Sequence, residues 1–124
     1  MYSILNKKSQ TLIERLAKVA PSEIYLCSIV KAELFYGAHK SINPPKALKL
    51  QREFCSRFKS LSFDDKAANE YGKIRSYLEK KGKVIGPNDV IIASIAVANK
   101  ITLITHNTKE FGRVKGLVIE DWQE

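Results

Sequence analysis

A three-layer α/β domain on a mainly parallel sheet is the fold this sequence predicts, and three observations predict it. Short apolar or β-branched runs alternate with amphipathic helical stretches along the chain, as parallel strands joined by helical crossovers do. One helical stretch, Asp89–Asn99, is apolar on nearly every face and must be wrapped by other elements. The run that follows it, Thr102–Thr105, is short and rich in β-branched residues, like a strand covered on both sides. The 124 residues form one domain, 1–124, long enough to bury a core without staples.

Ser9 caps a helix to about Val19, with Leu12, Ile13 and Leu16 in one stripe, and Pro21 ends it. Glu23–Ser28 reads as a strand. Ser28 then caps a helix to about His39, on which Val30, Leu34 and Ala38 share a face and Glu33 sits beside them. After the loop Ser41–Pro45, a helix to about Lys59 turns Ala47, Leu50, Phe54 and Phe58 inward. Leu61–Phe63 is a minimal strand. Asp64 or Asp65 caps the next helix, which runs to about Lys81 with Gly82 as its left-handed stop. Gly86 and Pro87 break the chain, and Asn88 caps the apolar helix with Asp89 in its first turn. Thr108–Gly116 is a polar loop with room for one helical turn, and Leu117–Glu120 is a last strand.

No apolar run reaches the roughly 18–20 residues that span a bilayer, so no membrane segment is expected. Cys27 and Cys55 lie in strand and helix without metal-like spacing, which fits reduced core thiols and a cytoplasmic protein. The net charge of +8 favours a polyanionic partner, nucleic acid first, although basic helix faces also serve simply as solvated surface.

In an open parallel sheet, sites form beyond the carboxyl ends of the strands. That rule selects the turn after Ser28, the start of the Asp89 helix and the loop after Thr105, where Glu33, Asp89, Asn107 and Glu110 stand. Asp89 could serve only the helix dipole, worth ~0.3–1 kcal/mol, and Glu110 could pair with Lys109 or Arg113. If Glu33 and Asp89 converge to ~5 Å, they repel by about 3 kcal/mol at an effective dielectric near 20. A divalent cation removes that penalty, and oxygen ligands without His or Cys select Mg²⁺ or Mn²⁺ over zinc. Such a centre on a basic protein suits phosphodiester hydrolysis, with Thr105 and Asn107 orienting water or phosphate. His106 has no Ser, Cys or second His in a recognisable arrangement and reads as a polar loop residue.

These residues also resemble a family. Ser28–Ala38, with a Glu followed by an aromatic and a Gly, resembles the second signature of the VapC-type PIN-domain toxins. Gly86–Ala93 is similar to the third, Thr105–Phe111 to the fourth and Gly116–Trp122 to the usual ending. The resemblance implies a PIN-like α/β/α fold and a Mg²⁺-dependent endoribonuclease, the toxin of a toxin–antitoxin pair. It implies Glu33 and Asp89 as metal carboxylates, Asn107 where Asp often stands, and Thr105 and Glu110 in support. RNA as substrate, a cognate VapB-like antitoxin that blocks the site and a homodimer complete the implied set. The family opens with a strand bearing an Asp-Thr-Asn-like motif, whereas Met1–Asn6 resembles the helix after that strand, and no acidic residue precedes Glu14. The first strand and first ligand are therefore expected to be missing and the activity weak or absent. Restoring such a strand with its Asp is expected to raise cleavage. The other reading is a non-catalytic module of the same fold that binds RNA or antitoxin.

Overall fold

The structure, a computed structural model, describes residues 2–4, 14–16 and 18–122. Its strands are β1 (Tyr2–Ile4), β2 (Ile24–Cys27), β3 (Lys59–Leu61), β4 (Thr102–Ile104) and β5 (Ile119–Glu120). All pair in parallel, in the order β3-β2-β1-β4-β5. The helices are α1 (Ser28–His39), α2 (Pro44–Cys55), α3 (Asp65–Lys80), α4 (Pro87–Ala98) and the single turn α5 (Thr108–Phe111). The expected α/β/α arrangement on a parallel sheet is what forms. The capping helix expected from Ser9 lies largely outside the described residues, of which 14–16 are helical.

One expectation is overturned. The first strand is not missing, because Tyr2–Ile4 fills the middle of the sheet, with Ile4 opposite Ile104 and Ser3 opposite Tyr25. The physical reason is that β2 and β4 each carry a ladder edge that must be paired. What the chain lacks before Glu14 is a carboxylate, not a strand.

Smaller differences also have causes. The third strand is Lys59–Leu61 rather than Leu61–Phe63, since these residues lie in register with Tyr25–Cys27, and α2 accordingly stops at Cys55. Ser28 begins α1 without capping it; its hydroxyl instead donates to the Leu61 carbonyl at 3.2 Å, tying β3 to the α1 start. Gly86, not Asn88, precedes α4, because Pro87 takes the first helical position, where its missing N–H costs nothing. Asp64 caps α3 as expected, accepting from the Ala67 N–H at 2.9 Å. Leu50, expected inward, is 55% exposed. It lies on the open side of α2, whose inner side packs on the core through Phe54 and Cys55.

The core is built on Ile24, Leu26, Leu103, Ile104 and the α4 residues Ile92, Ala93, Ile95 and Ala96, all essentially inaccessible. Two helix ends then show the same device with different residues. After α3, Gly82 sits at φ +65°, with the Lys83 N–H bonded to the Leu78 carbonyl and the Gly82 N–H to that of Glu79. After α4, Ile101 and Lys100 bond in the same way to Ala96 and Val97, but the left-handed residue is Lys100 at φ 53°. A side chain there meets the following carbonyl at a cost of roughly 1 kcal/mol. Lys100→Gly is expected to stabilise the domain by about 0.5–1 kcal/mol, partly offset by a looser unfolded chain, read as a rise in urea midpoint.

Candidate functional site

Ile4, Cys27 and Ile104 end neighbouring strands, so the segments leaving β2 and β4 emerge on one rim of the sheet. From that rim α1 departs carrying Glu33 in its second turn, and α5 follows β4 carrying Glu110. Helix α4 runs back to β4 through a tight turn, which returns its N-terminus, and Asp89, to the same rim.

The electrostatics put Glu110 and Glu33 within range of Asp89. Asp89 lies in the first turn of α4, where the helix dipole favours its charge. Its carboxyl is nevertheless held above the usual carboxylate range, first by burial, then by the charge of Glu110, then by that of Glu33. Hydrogen bonding with the Glu110 side chain raises it a little further. Burial and like charge thus outweigh the dipole. Glu33 also raises the thiol of Cys27 at the end of β2, after the larger effect of burial. Both cysteines are buried core residues.

Glu110 makes no ion pair with Lys109 or Arg113 among the described residues; its role lies with Asp89. Its position three residues past Asn107, one helical turn on, was the available signal. Thr105 stands at the end of β4. It is buried, and its Oγ1 accepts the Asn107 backbone N–H at 3.0 Å, so the hydroxyl shapes the loop that carries Asn107. Asn107 is half-buried ahead of α5 and does not use its side chain as a cap. His106 is indeed in the loop, but its Nδ1 lies 3.0 Å from Asp121 Oδ2, a pairing across 15 residues that no local pattern announces.

Among the described residues no three His, Cys, Asp or Glu side chains gather closely enough to form a finished metal cage. The donor set still fits a hard cation. It is all oxygen, its carboxylates repel one another in a way a cation would relieve, and Mg²⁺ needs only one or two carboxylates beside its waters.

Known proteins are consistent with this geometry. The PIN domain family model matches residues 3–117. Ribonuclease VapC2 of Rickettsia felis is 39% identical over 121 residues, covering 97% of this chain and 90% of that protein. The tRNA(fMet)-specific endonuclease VapC of Salmonella typhimurium is 37% identical over 122 residues, covering 98% and 91%. A crystal structure of VapBC2 from Rickettsia felis, bound to a DNA fragment from its promoter, contains a chain that matches with a TM-score of 0.87. The two are 37% identical, and the match covers 98% of each. A family model spanning nearly the whole sequence, relatives well above 30% identity and a matching sheet and helix order lead to one conclusion: the chain belongs to the PIN-domain family, and within it to the VapC type.

Proposed function

We propose that this protein is an endoribonuclease dependent on Mg²⁺ or Mn²⁺, the toxin of a VapBC-type toxin–antitoxin pair. The observation that carries the reading is the Asp89 carboxyl, loaded by burial, Glu110 and Glu33 at one rim of a PIN fold. Asp89 and Glu33 would hold the cation, with Glu110 the carboxylate beside Asp89. When bound, the cation lowers the pKa of water and neutralises phosphoryl charge. The protein's own part is to keep the three carboxylates ionised around that charge and to hold Asn107 where its amide can meet a phosphate oxygen. Thr105 acts through the loop it shapes. The names of the relatives support RNA as substrate, and tRNA(fMet) is the first to assay. The VapBC complex supports a VapB-like antitoxin as partner. A homodimer in the cytoplasm is part of the same proposal.

One observation favours the second reading, a module that binds RNA or antitoxin without cutting: no acidic residue stands in or near β1. Incubating the purified chain with tRNA in Mg²⁺, Mn²⁺ or EDTA decides between them. The enzyme reading expects cleavage that EDTA stops and that Asp89→Ala loses. Intact tRNA in both metals gives the field to the binding module, and cleavage surviving Asp89→Ala belongs to a contaminant.

A further inference from the structure

Helix α5 is a single turn, too short to hold its own shape, so its two ends decide where it sits. The C-terminal end is fixed by Phe111, which is fully buried. The N-terminal end has no side-chain cap, and only residues 105–107 lead to it from β4. Two side chains hold that turn. The Thr105 hydroxyl accepts the Asn107 N–H at 3.0 Å, and His106 between them reaches sideways to Asp121.

Asp121 is a firm post. Just before it, the Glu120 carbonyl accepts the Thr105 N–H at 3.0 Å, continuing the β4–β5 ladder. Just after it, Trp122 is buried, and its indole N–H donates to Glu120 Oε1 at 3.1 Å. The Arg15 guanidinium lies over that ring, 5.2 Å from its centre. The Asp121 side chain is 10% exposed against 54% for His106, and a carboxylate so enclosed holds its partner better than an open surface pair does. A carboxylate accepts, so Nδ1 of His106 donates, which the neutral ring and the protonated ring can both do. The tie needs no particular charge on the imidazole.

We propose that His106 is a positioning residue for cleavage: bound to Asp121, it fixes the 105–107 turn and with it the places of Asn107 and Glu110 at the rim. Its part in cleavage rests on the nuclease reading; the tie itself does not. His106 acts through Asn107 and Glu110 and touches no substrate.

Two measurements test this, backbone ¹⁵N relaxation of the metal-free chain and tRNA cleavage in Mn²⁺. In His106→Ala the order parameters of residues 106–110 are expected to fall from a rigid ~0.85 towards ~0.6, while Leu103 and Ile95 keep theirs. Cleavage is compared at a temperature where melting curves show every variant folded. There kcat should fall roughly tenfold with KM unchanged, because a displaced group beside a bound substrate costs rate and not binding. His106→Asn, whose amide nitrogen can take the place of Nδ1, should restore both readouts. Added to Asp121→Ala, His106→Ala should cost nothing more. Unchanged order parameters at Asn107 in His106→Ala, a loss confined to KM, a loss that His106→Asn does not recover or losses that add in the double variant each overturn the proposal. A wild-type chain that leaves tRNA whole refutes the nuclease reading. Loosening of 106–110 in His106→Ala then still upholds the tie, and its absence refutes the tie as well.

Discussion

Asp89→Asn is expected to abolish metal-dependent cleavage and, at neutral pH without metal, to raise the melting temperature by several degrees. Both effects come from one cause. In the metal-free protein the Asp89 carboxylate is destabilised by its burial and by Glu110 and Glu33. The amide has nearly the same shape, carries no charge and can donate to Glu110. Removing the charge therefore relieves the fold at the place where function needs it strained. Activity falls for the same reason, by more than the roughly 10–100-fold that loss of a merely outer partner of a metal site costs. Thermal unfolding of both proteins in EDTA, beside a tRNA cleavage series in Mn²⁺, measures the pair. A variant that is less stable than wild type at pH 7 would mean that Asp89 serves the helix dipole more than it suffers its neighbours.

The sequence disclosed the parts of the fold governed by local periodicity and by caps. The wrapped helix α4, the stop at Gly82 and the cap at Asp64 follow from residue chemistry within a few positions. Parallel register is not local, which is why β3 lay two residues from its expected place. The identity of β1 was hidden for a related reason. Tyr2–Ile4 has strand-forming residues but is too short to announce a strand alone, and it is one because two neighbours need a partner. At the site, residue types identified Glu33 and Asp89, but whether Glu110 answers to Arg113 or to Asp89 depends on which way α5 leaves β4. The bond by which the Thr105 hydroxyl holds the Asn107 backbone was not legible, because a hydroxyl at a strand end suits a phosphate and a loop equally well. The His106–Asp121 contact joins two segments that meet only once β5 has paired with β4.

Mn²⁺ or Mg²⁺ is expected to stabilise the wild-type chain, and the dependence on pH fixes the assignment to Asp89. Without metal, a carboxyl whose folded pKa lies above its unfolded value favours the folded state below the ordinary carboxylate range. That contribution is lost as the pH rises through the raised value. A cation competes with the proton for the same oxygens, so its effect has the opposite sign. It should be absent at the acid end, appear as the pH climbs through the raised Asp89 pKa and level off above it. At a concentration 100 times its dissociation constant it adds about 2.7 kcal/mol, roughly 10 °C in melting temperature for a domain of this size. Glu110→Gln should shrink the effect, because it removes the carboxyl nearest Asp89 in influence, and Asp89→Asn should erase it. Lys73→Glu on α3, which leaves all three carboxylates in place, should keep it. Calorimetric scans between acid and neutral pH, with and without Mn²⁺, separate these cases. A metal effect that persists in Asp89→Asn would move the cation elsewhere on the chain.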